Sequence, residues 1–332
     1  MSHTCIVKGS LWLPKNCLSS IDIERISNFD RKYIEKRLGI KKIYRSDEST
    51  SACDMAISAG MLCLNDTDKK NIDALIWTGS ENKDYYVWMA SAYIQNSLSI
   101  RNNIPTFDIF SQSCTDLTAI RVAKAFLYSE HNMNSILLIG GHKINDLVNY
   151  SDQDTSFLFS FSDGASCILL SKGDSNPVLS AYSICDGSFS IDVKISPIFN
   201  GLISKNVFKV NDYNSLRKRL THRTIVNYCE VINKNLNSLN LKTGDQFFLA
   251  INHLSESILN RIIKSLNYEV KLCSSLDQFG HIGSIDPWIA VREAENREVL
   301  NSGDIVCMVS AGLGYTWSAV TFRWDKPIFK SQ

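Results

Sequence analysis

Residues 107–119, Phe107-Asp108-Ile109-Phe110-Ser111-Gln112-Ser113-Cys114-Thr115-Asp116-Leu117-Thr118-Ala119, read as a strand, a tight polar turn and a helix rich in small residues. The same alternation runs outward from this stretch in both directions. Apolar runs of β character occupy 74–77, 106–109, 136–139, 165–170, 247–251, 305–309 and 319–322, and several are apolar on both faces. Such strands suit a sheet covered by helices on both sides. Helical spacing with few breakers marks 90–95, 118–128, 223–236, 256–266 and 289–300. The order predicts α/β layers. The Ser-, Asp- and Asn-rich stretch 174–214 marks a change between halves, and a boundary near residue 172 divides the chain into 1–172 and 173–332.

With 332 residues, 44% of them hydrophobic and 21% charged, the chain can bury a sizeable core and is not disordered. Thirty-five Lys and Arg stand against 34 Asp and Glu, so the net charge of +1 gives no global field for nucleic acid or an anionic membrane. No apolar run approaches the length of a membrane span, and the first residues lack the layout of a signal peptide. A cytoplasmic protein is expected. The ten cysteines are scattered with no C-x-x-C pair, which argues against a disulfide framework or a metal site. The basic run 215–223, Ser-Leu-Arg-Lys-Arg-Leu-Thr-His-Arg, is either a solvated helix face or a docking patch for an acidic partner such as an acyl carrier protein.

Cys114 falls at the start of the helix in the opening stretch. Unsatisfied N–H groups and the positive end of the dipole there favour thiolate over thiol, which would activate a nucleophile. A buried structural cysteine is the ordinary alternative. Histidine is scarce, with six in the chain, and two follow predicted strands in loops: His253 after Ile251-Asn252, and His281 within Phe279-Gly280-His281-Ile282-Gly283. Each alone is more often structural; beside an activated cysteine they would supply a base or a pair of hydrogen-bond donors. The Ala311-Gly312-Leu313-Gly314-Tyr315-Thr316-Trp317 stretch, between two strands, could turn a backbone N–H toward an oxyanion. Asp116 in the first helical turn is expected to complement the dipole, and Asp286, before Pro287, to serve the turn.

From about residue 6 to 324 the chain resembles β-ketoacyl-acyl-carrier-protein synthase III and its relatives in the thiolase superfamily. The resemblance is carried by Arg37-Leu38-Gly39-Ile40, Cys114, Phe161-Ser162-Asp163-Gly164-Ala165, His253, Leu276-Asp277-Gln278-Phe279-Gly280-His281 and Gly312-Leu313-Gly314-Tyr315-Thr316-Trp317, in that order. It implies a five-layered αβαβα sandwich of two pseudo-repeated halves, usually a homodimer, with no metal or bound cofactor. It also implies that Cys114 takes an acyl group from a coenzyme A or carrier-protein thioester, that the N–H groups of Cys114, Leu313 and Gly314 form the oxyanion hole, and that His253 is catalytic.

Departures from the family pattern redirect that expectation. His281 stands where synthase III enzymes carry asparagine, giving a Cys-His-His set like that of the elongating ketosynthases. Glu256 replaces a neutral amide in His253-Leu254-Ser255-Glu256, and Ile258 replaces an arginine of carrier-protein docking. Tyr33 replaces a tryptophan that stacks on the coenzyme A adenine, Arg37 of the same element is kept, and Asp154 replaces a second coenzyme-binding arginine. These changes favour a carrier-protein donor. In Tyr85-Tyr86-Val87-Trp88-Met89, bulky Trp88 and Met89 either reshape the acyl tunnel or pack a dimer interface. The leading expectation is decarboxylative Claisen condensation with a malonyl-type thioester in specialised or fatty-acid-like biosynthesis. The alternatives are acyl transfer to oxygen or nitrogen of a small molecule, and a non-catalytic subunit of a heterodimer.

Overall fold

The computed structural model describes residues 3–85, 87–195, 207–273 and 276–329. Tyr86 and residues 196–206 of the Ser/Asp/Asn-rich stretch lie outside them. The elements that build the sheets and their covers are, in chain order, β1 (His3–Trp12), α1 (Ala52–Cys63), β2 (Ala74–Trp77), α2 (Ala90–Ser97), β3 (Thr106–Asp108), α3 (Thr115–Ser129), β4 (Ser135–His142) and β5 (Gly164–Gly173). They continue with β6 (Val178–Cys185), α4 (Tyr213–Asn237), β7 (Gln246–Ile251), α5 (Glu256–Ser265), β8 (Glu269–Lys271), α6 (Asp286–Asn296), β9 (Asp304–Gly312) and β10 (Thr316–Trp324).

The second series repeats the first element by element. So do the sheets: β1-β5-β4-β2-β3 in one and β6-β10-β9-β7-β8 in the other. In each, the closing strand lies antiparallel to both the opening strand and the strand before it, and the other pairings are parallel through helical crossovers. Helices α1 and α2 cover the outer face of the first sheet, α4 and α5 that of the second, and α3 and α6 lie between the two sheets. The result is the expected five-layered α/β sandwich.

Burial follows from this layering. All eight residues of β4 and all four of β2 are buried, as both-face apolar runs require. The central helices carry small residues, Ala119, Ala123, Ala290 and Ala294, that let two sheets approach, and larger ones, Ile120, Leu127, Ile289 and Trp288, that fill the gap. Burying each large side chain contributes about 2 kcal/mol. Because α3 and α6 start where the parallel strands end, their first turns meet at one edge of the central layer.

Candidate active site

The turn before α3 is a single 3₁₀ turn, Gln112–Cys114, entered through Gln112 in the left-handed region at φ 51°. A non-glycine residue there carries a backbone cost, which the surrounding bonds offset. Cys114 N–H donates to Ser111 O at 3.0 Å, Ser111 N–H to Thr115 Oγ1 at 2.9 Å, and Thr115 Oγ1 to Gln112 O at 2.7 Å. From the other half, Ser310 Oγ donates to Ser113 O at 2.5 Å. Gly312, ending β9, lies against the same turn; a Cβ there would sit 2.6 Å from Ser111 O, so only glycine lets the second sheet approach this closely.

The second half supplies the titratable groups. His253 follows β7 by two residues, His281 lies in the loop between β8 and α6, and Asp286 opens α6, where Pro287 needs no partner for a missing N–H. Asp286 is fully buried and acts as the hub. Its Oδ2 accepts from His281 Nδ1 at 2.5 Å and from His253 N–H at 2.7 Å; its Oδ1 accepts from Ile282 N–H at 2.7 Å and lies 3.5 Å from His253 Nδ1. Burial pushes this carboxyl up, but the two histidines and these hydrogen bonds outweigh it and hold it below the ordinary aspartate range. His253 Nδ1 also donates to Gly280 O. His281 is fixed by its backbone as well, N–H to Ser160 O at 2.6 Å and O from Ser162 N–H at 2.9 Å, so the first half grips the loop that carries it.

A carboxylate and a carbonyl can only accept. The Nδ1 of both histidines therefore carries the proton, and the Nε2 of a neutral ring is left as an acceptor. That of His281 faces Ser113 Oγ at 2.8 Å. Ser113, His281 and Asp286 thus form one continuous hydrogen-bonded chain across the two halves.

The residues singled out in the sequence fare differently. His253 and His281 come together around Asp286. Cys114 differs from expectation: its Sγ is wholly buried and turned to the carbonyls of Ser310 and Thr316, both at 3.2 Å. Burial pushes its thiol up to about 12, so desolvation wins over the helix N-terminus that was expected to lower it. The Cys114 N–H expected in the oxyanion hole is spent on Ser111 O, while Leu313 and Gly314, the latter at φ 82°, form the hairpin tip beside the turn. A cleft opens here, and Ser113, His142, Phe161, Phe208, Gly283 and Leu313 contribute to its wall.

Among the described residues, Tyr33, Arg37, Trp88 and Glu256 lie outside that wall. Tyr33 stacks on Phe29 with ring centroids 4.6 Å apart, Arg37 is exposed on the next turn, and Glu256 is exposed in the first turn of α5. Trp88 rests between Tyr85 and Tyr93. Within the basic run, Arg219 pairs with Asp192 at 2.7 Å and Arg223 with Asp186 at 3.7 Å, which leaves Arg217 and Lys218 as its outward charge.

Ser113 and His142 were not recognised from sequence, and Asp286 was read only as a turn residue. His142 ends β4 beneath the site, bonded through Nε2 to Ser284 Oγ at 3.1 Å, and burial lowers it to about 4, with the neighbouring His281 adding to the fall. Asp116, read as a dipole partner, instead accepts from Ser284 Oγ at 2.9 Å and Trp288 Nε1 at 2.9 Å across the central layer. Burial raises it to about 6 in spite of these donors.

Comparison with known proteins agrees with the fold. Residues 107–187 match the family model of 3-oxoacyl-[acyl-carrier-protein] synthase III and residues 236–324 that of its C-terminal part, together about half of the chain. The β-ketoacyl-[acyl-carrier-protein] synthase III of Campylobacter fetus subsp. fetus is 23% identical over 358 aligned residues, spanning 98% of this chain and 99% of that protein. Among solved structures, 3-oxoacyl-(acyl carrier protein) synthase III of Pseudomonas aeruginosa PAO1 superposes with a TM-score of 0.85 at 17% identity, covering 98% and 99% of the two chains. The priming β-ketosynthase of the R1128 polyketide pathway gives 0.85 at 16%, covering 98% and 97%.

Proposed function

The chain is a synthase III-like acyltransferase of the thiolase superfamily, and from that premise we propose that it carries an acyl group at the Ser113–Cys114 turn and condenses it with a malonyl-type thioester, releasing carbon dioxide. The observation that carries this reading is a buried carboxylate, Asp286 at the start of α6, bonded to two histidines and linked through His281 to Ser113 just before α3. A carboxylate in that place supports an imidazolium on His281, whose Nε2–H can then donate to the thioester carbonyl of the extender. His253 lines up on the same carboxylate as the second group for the enolate. The names of the synthase III relatives, which include acyl carrier protein, favour a carrier-protein or coenzyme A thioester as donor. A homodimer closed over Tyr85, Val87 and Met89, all exposed, completes the reading.

One observation favours a second reading. With both Nδ1 positions facing acceptors, neutral histidines present basic nitrogens, which suits deprotonation of a hydroxyl or amine acceptor and transfer without loss of carbon dioxide. The test is to load the enzyme with an acyl donor, add malonyl-coenzyme A or malonyl-carrier protein, and measure carbon dioxide against β-ketoacyl product. Stoichiometric release with a new C–C bond supports condensation. Acyl transfer to an alcohol or amine with the malonyl group intact would replace it by the second reading.

A further inference from the structure

We infer that Ser113, and not Cys114, carries the acyl group, as an oxygen ester, with His281 as its base and Asp286 as the residue that positions that base. The inference deepens the acyl-enzyme reading above and rests on it. Adjacent residues on a tight turn point apart, and here the left-handed Gln112 sends Ser113 to the cleft wall and Cys114 into the packing under β9 and β10. Ser113 Oγ lies 2.8 Å from His281 Nε2, and His281 Nδ1 lies 2.5 Å from Asp286 Oδ2. Nucleophile to base and base to orienting carboxylate are both within hydrogen-bond reach. The carboxylate fixes the tautomer: Nδ1 keeps its proton, so Nε2 must accept from the hydroxyl. Nothing comparable faces the sulfur, whose partners are two carbonyl oxygens that hold a thiol and oppose a thiolate.

The chemistry balances with the acyl donor, the acceptor and, for condensation, one proton from solvent. Ser113 Oγ attacks the donor thioester carbonyl as its proton moves to His281 Nε2; the Oγ–C bond forms, the C–S bond breaks, and the departing thiolate takes the proton from His281. In the second half, the acceptor attacks the ester carbonyl, the C–O bond breaks, and Oγ leaves as the hydroxyl after reprotonation. In condensation, loss of carbon dioxide brings no proton, so His281, neutral after acylation, takes one from solvent water at Nε2 and returns it to Oγ; in transfer to a hydroxyl or amine, it is the acceptor's own, relayed through His281. An oxygen ester is a poorer acyl donor than a thioester, so protonation of the leaving Oγ by His281 becomes a requirement of the transfer step.

The experiment is intact-protein mass spectrometry after incubation with acetyl-, butyryl- and octanoyl-coenzyme A and the same groups on an acyl carrier protein, with peptide fragmentation between residues 113 and 114. Expected is an acyl increment on Ser113 that survives neutral hydroxylamine, which cleaves thioesters and spares oxygen esters. Ser113→Ala should lower the loading rate at least 100-fold while keeping wild-type circular dichroism and Tm. Ser113→Cys should restore loading as a hydroxylamine-sensitive adduct. An increment sensitive to hydroxylamine in the wild type, kept in Ser113→Ala and lost in Cys114→Ala, would overturn the assignment and leave the acyl-enzyme reading standing. No increment on the wild type with any of these donors would overturn both.

Discussion

Two buried aspartates, one in each half, occupy the first turns of the two central helices, and they have opposite chemistry. Asp116 on α3 is met by hydroxyls and an indole, all neutral donors, and its carboxyl is raised to about 6, chiefly by burial. Asp286 on α6 is equally buried, yet two histidines and two backbone N–H groups hold it low. Position in the repeat and burial are shared, so the difference lies in the partner: a group that can become cationic stabilises the charge that neutral donors cannot. A duplicated framework has thus kept one carboxylate as internal mortar between layers and made the other the electrostatic centre of the site.

The comparison can be broken most forcefully at His281. His281→Asn keeps a donor but removes the base, and kcat/KM for acyl transfer should fall about 10³- to 10⁴-fold if the ring moves a proton. A loss under tenfold would mean that His281 only donates. Asp286→Asn should cost about 10²- to 10³-fold, by losing the acceptor that fixes the Nδ1 proton. Its signature is a shift of the acidic limb of the pH–rate profile, which a purely structural defect would not move.

The aspartates also separate by pH. Asp116 binds its proton more tightly folded, about 6 against 3.8, so its protonated form contributes stability in full below pH 3.8, and that contribution is lost as pH rises toward 6. The loss is about 3 kcal/mol. Asp286 works in the other direction: its contribution is present above 3.8 and lost as pH falls through its depressed pKa. Asp116→Asn should therefore flatten the fall in Tm between pH 4 and 6 and leave the acid limb below pH 4 unchanged. Unfolding monitored by circular dichroism across that range decides it. The smallest expected effect is at Gly283. Its φ of 60° and a Cβ position 2.5 Å from His142 Nδ1 make Gly283→Ala strained, at about 2 kcal/mol, with a Tm drop of several degrees.

Much of the layered fold was legible from residue patterns because buried parallel strands are written as continuous apolar runs; Ala74–Trp77 is read to the residue. The strands that open each series, both at sheet edges, were not. His3–Trp12 mixes polar and apolar residues around a bulge between Ile6 and Lys8, and Val178–Cys185 sits in a Ser-rich stretch that reads as a connection. At the site, His253 and His281 stood out by scarcity and by resemblance. Asp286 did not, since its partners lie five and 33 residues away and only the meeting of two loops reveals it. Ser113 was hidden by its neighbour: a thiol is the stronger nucleophile by composition, and which of two adjacent side chains faces the cleft depends on the backbone of Gln112.

The pairing of β1 with β5, His3 opposite Gly173, sets a timetable for synthesis. Strand β1 leaves the ribosome well before it can find its place, because its partner is made some 160 residues later. At ordinary translation speeds that is roughly 10–30 s during which an edge with apolar side chains stays uncovered. While it waits, β1 is an aggregation hazard in the nascent chain, and a holdase that shields this strand should raise the yield of folded protein more than one acting on the finished chain.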